Sequence, residues 1–216
     1  MTVSAKICGI STLSAAETAI GAGAAFLGFI HFTRSPRHLD LPSMADLMRT
    51  IRANGHTLPL VSVVVDPDDA LVAALRDDVR PDLIQLHGKE TPERVAEIAA
   101  TTGIGVIKAL SIGEADDLAV APAYEPHVDY LMFDARPPKE AVMPGGLGVR
   151  FDWTLMRGYQ GRKPWFLAGG INADNVAEAV TQSGAHFVDT SSGVESAPGV
   201  KDPGLISRFL TAVKSL

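Results

Sequence analysis

The feature that most restricts what this chain can fold into is an alternation. Short apolar runs rich in Val, Ile, Leu and Phe occur eight times, and a segment of helical composition follows each of them. Strands are expected at 3–8, 25–31, 60–65, 83–87, 105–109, 130–134, 165–168 and 187–190. Helices are expected at 13–22, 43–53, 67–77, 92–102, 115–121, 153–158, 173–183 and 203–214. A strand joined to the next by a crossover helix builds a parallel sheet. No Ser/Gly-rich linker or change of composition divides the 216 residues, so the chain reads as one domain, 1–216. Eight units favour a closed (β/α)8 TIM barrel over an open doubly wound sheet; units five and six are the least well marked.

Helix boundaries carry their own signals. Thr91-Pro92 places a capping hydroxyl before a proline at the first helical position, and Asp66-Pro67 and Asp202-Pro203 repeat the arrangement. Asn54-Gly55, Thr102-Gly103 and Ser183-Gly184 read as helix stops.

Charge and cysteine content remove several function classes. The net charge is −6 and the basic residues are scattered, which argues against nucleic acid as a partner. No run approaches the ~20 apolar residues of a membrane span, and residues 1–10 lack the pattern of a secretory signal. A single cysteine excludes an intramolecular disulfide and suits a reducing compartment, so a cytoplasmic location is expected. A monomer is the expected state, with a homodimer as the alternative.

A barrel of this type holds its active site at the C-terminal ends of the strands. Those ends here are Cys8-Gly9, the segment from His31 to Arg37, Gln85-Leu86-His87-Gly88, Phe133-Asp134-Ala135, Ala168 to Asn172 and Asp189 to Glu195. Gly169 and Gly170 after strand seven, with Ser192 and Gly193 after strand eight, suit a phosphate held by backbone N–H groups. Gly146 and Gly148, in the long loop after strand six, could add donors or cover the site.

Cys8 and Asp134 both end a strand, and together they form a candidate base and acid. Lys6, on the same face of its strand as Cys8, is either a local cation or a structural lysine neutralised by an acid such as Asp189. Arg37 has a fork that suits a carboxylate, although alone it could be an ordinary loop arginine. His87 could bind substrate or support a residue that does. No His/Asp/Glu set has metal-ligand spacing, and no G-x-G-x-x-G follows strand one, so neither a metal nor a dinucleotide is expected.

Seven motifs then occur in order along nearly the whole chain: KICGI (6–10), GFIHFTRSPR (28–37), QLHG (85–88), FDA (133–135), GGLGVRFDW (145–153), LAGGIN (167–172) and DTSSGVE (189–195). In these the sequence closely resembles the phosphoribosylanthranilate isomerase family of tryptophan biosynthesis. The resemblance implies a cofactor-free Amadori rearrangement of N-(5-phosphoribosyl)anthranilate to 1-(2-carboxyphenylamino)-1-deoxyribulose 5-phosphate. It implies Cys8 as general base, Asp134 as general acid, Arg37 on the anthranilate carboxylate and the glycine loops on the phosphate. Three alternatives are weighed against it. A different phosphosugar epimerase would need metal ligands at the strand ends. A dual-substrate isomerase typically carries aspartate where Cys8 stands. A catalytically silent phosphosugar-binding module is expected to have lost Cys8 or Asp134.

Overall fold

The computed structural model describes residues 2–136, 148 and 150–216. Eight parallel strands, β1 (Ser4–Cys8), β2 (Phe26–Ile30), β3 (Leu60–Val64), β4 (Leu83–Leu86), β5 (Gly105–Ile112), β6 (Tyr130–Ala135), β7 (Trp165–Leu167) and β8 (Phe187–Thr190), close into a barrel in sequence order. β8 returns to β1, with Lys6 in register with Asp189.

The barrel has two apolar layers because both faces of each strand are buried. Inside it, Val61, Val63, Leu83, Ile107, Met132 and Phe166 pack together. The rings of Phe26, Tyr130, Phe166 and Phe187 close the N-terminal end, with Phe26 and Phe166 edge-to-face at 5.2 Å. Outside it, Ile7, Leu27, Phe29, Ile84 and Phe133 meet the helical shell.

The shell contains α1 (Leu13–Gly21), α2 (Leu41–Ala53), α3 (Asp69–Ala74), α4 (Pro92–Thr102), α5 (Ala121–Tyr124), α6 (Val176–Ser183) and α7 (Pro203–Lys214). Side chains of Thr12, Asp40, Asp68, Thr91 and Asp202 accept N–H bonds at their N-termini. Gly103 and Gly184 end α4 and α6 in the left-handed conformation, as their positions predict.

Several expected boundaries move. Asp66 does not cap α3: it sits at φ +45, its carboxylate accepts from Lys89 N–H, and Asp68 takes the capping role. α3 then widens into a π turn over Leu75–Val79. α2 begins at Leu41 rather than 43, and β5 runs to Ile112 rather than 109. α6 starts at Val176, because Asn175 is bonded back into the loop before it.

The expected fifth helix is broken into a 3-10 turn, the single turn of α5 and a second 3-10 turn; Pro122 and Pro126 remove the donors a longer helix needs. The expected sixth helix is one 3-10 segment, Trp153–Gly158, capped by Asp152. A small antiparallel hairpin, β9 (Glu195–Ala197) with β10 (Val200–Lys201), was not expected at all.

Candidate active site

The C-terminal ends of the strands bring the expected residues to one mouth. Gly28 on β2 lies beside Cys8 on β1, and a β-carbon there would sit 2.8 Å from Cys8 Sγ and 3.0 Å from Lys6 Nζ. The absence of a side chain at this position therefore makes room for both heads. Lys6 is fully buried and its Nζ donates to Asp189 Oδ1 at 2.8 Å. Both readings of Lys6 hold together, since it is neutralised by Asp189 and is also a cation next to the thiol.

Burial pushes the Cys8 thiol up; Lys6 and Lys201 pull it down, and Asp189 pushes it up, with a net rise. Burial pulls the Lys6 ammonium down, but Asp189 and Cys8 outweigh that and hold it above its ordinary range.

On the opposite wall of the barrel, separated from β1 by β7 and β8, Asp134 is buried at the end of β6. Its Oδ1 accepts from the Ala135 N–H at 2.8 Å and its Oδ2 lies 3.2 Å from His87 Nε2. Gln85 Nε2 faces His87 Nδ1 at 2.9 Å. With the amide as donor, Nδ1 accepts, so the imidazole proton is assigned to Nε2 and points at Asp134. His87 therefore braces the Asp134 carboxyl, and Gln85, which sequence reasoning gave no role, orients His87. Among the described residues Gln85 Oε1 has no partner.

Arg37 is 4% exposed, deep in the mouth rather than on a solvated loop. Its fork donates to Glu195 through Nε and Nη2, both at 2.7 Å. Two local features bring them together. His31 Nδ1 lies 2.8 Å from Leu39 O, and His38 Nδ1 accepts from Phe32 N–H, which folds the loop after β2. The turn of the β9–β10 hairpin then packs on that loop so closely that a β-carbon at Gly199 would sit 2.4 Å from Pro36 O.

Lys201 on β10 donates to Glu195 Oε1 at 2.7 Å, to Ser191 O at 2.8 Å and to Ser191 Oγ at 3.3 Å. Glu195 and Lys201 are missing from the sequence-derived site. Glu195 closes the DTSSGVE motif but has no spacing that names its partner, and Lys201 is one lysine in a polar stretch.

The loops after β7 and β8 meet as the glycine pattern predicts. Gly169 and Gly170 have φ of +87 and +63, which aim their peptide groups where an L side chain rarely allows. A β-carbon at Gly193 would sit 2.2 Å from Ile171 O, and Thr190 Oγ1 donates to that same oxygen at 2.6 Å. Asn175 braces the first loop through Gly170 O and Asn172 N–H. Gly148 lies against Ser192, a β-carbon there being 3.7 Å from its Oγ. Gly146 lies outside the described residues. Among the described residues no cluster of His, Cys, Asp and Glu could hold a metal ion, and no helix is long and apolar enough to cross a membrane.

This arrangement agrees with what similar proteins are. Residues 5–212 match the family model for N-(5'phosphoribosyl)anthranilate (PRA) isomerase. An N-(5'-phosphoribosyl)anthranilate isomerase of Caulobacter sp. (strain K31) is 54% identical over 212 residues, covering 98% of this chain and 99% of that protein. One from Rhodopseudomonas palustris (strain BisA53) is 49% identical over 215 residues, covering 100% of this chain and 97% of the other. The phosphoribosyl anthranilate isomerase of Thermotoga maritima superposes with a TM-score of 0.86 at 30% identity, covering both chains completely. A phosphoribosyl anthranilate isomerase solved with reduced 1-(o-carboxyphenylamino)-1-deoxyribulose 5-phosphate superposes with a TM-score of 0.83 at 29% identity, again over the full length of both. By the family model, by identity along its whole length and by its barrel, the chain belongs to the N-(5′-phosphoribosyl)anthranilate isomerase family.

Proposed function

We propose that the chain isomerises N-(5′-phosphoribosyl)anthranilate in tryptophan biosynthesis with Cys8 as base and Asp134 as acid. The activity follows from the family. The assignment of roles is carried by one observation: a thiol with a cation beside it and a supported carboxyl stand on opposite walls of one barrel mouth. Asp134 delivers a proton to the ribose ring oxygen, the bond from that oxygen to C1′ breaks, and a Schiff base forms at C1′. The resulting carboxylate is held by the His87 Nε2–H and the Ala135 N–H. Cys8 as thiolate then takes the C2′ proton and leaves an enolamine. Tautomerisation places a proton on C1′ and the carbonyl at C2′. The substrate gains one proton from Asp134 and loses one to Cys8, so the step is a net isomerisation without a redox partner, and exchange with solvent returns Asp134 to the acid and Cys8 to the thiolate before the next turnover.

The remaining contacts position the substrate. The cradle of Gly148, Gly169, Gly170, Ser192 and Gly193 suits the phosphate, with Gly146 proposed beside it from sequence alone. Arg37, aimed by Glu195, suits the anthranilate carboxylate. Asp189 holds Lys6 in place rather than meeting the sugar directly. The labile substrate can be made in situ from anthranilate and phosphoribosyl pyrophosphate by the transferase that joins them, and followed by its fluorescence. Protein-dependent conversion to the carboxyphenylamino-ribulose phosphate is expected, with KM raised in Arg37→Met. A folded protein without conversion contradicts the activity, and an unchanged KM removes Arg37 from the carboxylate. The chain acts as a monomer in the cytoplasm in this reading, and among the described residues the large apolar side chains left exposed, Val120, Val200 and Leu216, are far apart in the sequence.

A further inference from the structure

More charge is gathered around Cys8 than the acid–base chemistry uses. Lys6 is paired with Asp189, and Glu195 pairs with both Arg37 and Lys201. Lys201 and Glu195 side chains are only 2% and 3% exposed, so solvent screens their charges poorly. Lys201 is also coupled to β1 by a short bridge. Its Nζ binds Ser191 at O and Oγ, and Ser191 Oγ donates to Cys8 O at 3.0 Å.

We propose that the β9–β10 hairpin serves to deliver Lys201 to the end of β1, where its charge sets the fraction of Cys8 present as thiolate. This rests on the reading of Cys8 as the base. Lys201 does not contact the sulfur; it is a positioning residue that acts through its field and through Ser191. Among the described residues the charged groups around the thiol are Lys6 on β1, Asp189 on β8, and Arg37, Glu195 and Lys201 above them; Asp134 and His87 stand across the mouth. Lys6 is the stronger of the two cations at the thiol and Asp189 offsets part of its effect, so the charge of Lys201 adds to a balance already close. Burial pulls the Lys201 ammonium down, and Glu195 and the Cys8 thiolate push it back up, so Cys8 and Lys201 favour each other's charged form. The hairpin itself has few other ways to be held, with two residues in β10 and a turn seated on Pro36.

Cys8 is the single cysteine of the chain, so the ultraviolet absorbance of its thiolate, taken as wild type minus Cys8→Ser, titrates this one group. Lys201→Met is expected to move the midpoint up by about one pH unit, which lowers the thiolate fraction below the midpoint about tenfold. Lys201→Arg restores it, and kcat near neutral pH follows the thiolate fraction. An unmoved midpoint in folded Lys201→Met overturns the proposal. Should Lys201→Met fail to fold, Lys201→Gln, which keeps a polar head for Ser191 without the charge, decides alone: an upward shift supports the proposal and an unmoved midpoint overturns it. These titrations need no substrate, so they are separate from the base assignment, which fails only if Cys8→Ser retains turnover.

Discussion

At the scale of single residues, the site depends on charges kept out of water in pairs. Glu195 shows the consequence most clearly. Burial raises its carboxyl, but Arg37 and Lys201 overcome that and hold it below its ordinary value of 4.5. A carboxylate with a depressed folded-state pKa adds stability above its unfolded value and loses it as pH falls through the folded one. The wild type should therefore lose stability steeply below about pH 4.5. Glu195→Gln should show a shallower acid slope when urea midpoints are measured across that range; equal slopes would remove Glu195 from the acid response. The proposed base and acid were legible because strand ends in a barrel are few, and Cys8 and Asp134 carry reactive groups at two of them. Lys201 and Glu195 were not, because no local spacing encodes their meetings: Lys201 turns back through the hairpin to Ser191, and Glu195 reaches Arg37 from the far end of the chain. Gln85 stands two residues before His87, a spacing that puts both on one face and could have been read.

At the scale of elements, the loop after β4 illustrates how the barrel holds catalytic groups still. Lys108 lies under it, and its Nζ donates to Gly88 O at 2.9 Å and to Glu90 Oε2 at 2.7 Å. Glu90 in turn accepts from the N–H groups of Asp66 and Gly88, which ties the loops after β3 and β4 together next to His87. Both side chains of the ion pair are 2% exposed or less. Lys108→Met leaves Glu90 buried without its counter-charge, at a cost of about 3–5 kcal/mol. Chemical denaturation should show that loss, and a change below about 1 kcal/mol would mean the pair is not structural. Capping and stop residues made most helices legible. The fifth connection was not, because its apolar residues mimic a helical face while Pro122 and Pro126 deny the backbone a long helix; the sixth spans the expected residues, but as a 3-10 segment. The hairpin was missed because a two-residue strand has no periodicity to read.

At the scale of the whole molecule, the eightfold alternation and the closed sheet are the same fact seen twice. Both faces of every strand are buried, so apolar runs are continuous and the fold class follows from their number. The aromatic rings fill the barrel at its N-terminal end, the end away from the candidate site. On the monomer proposed above, light scattering should return the mass of one chain. A doubled mass would contradict that.

The claim on which the account turns is the division of labour between Cys8 and Asp134. It is tested most directly by single-turnover conversion of substrate generated in situ, comparing wild type, Cys8→Ser and Asp134→Asn, with circular dichroism confirming that each is folded. The account predicts losses of about a hundredfold or more in each variant, the range expected when a general base or acid is removed. Near-wild-type conversion by either folded variant would contradict it and would move the missing role to another group in the mouth, with His87 first to be examined.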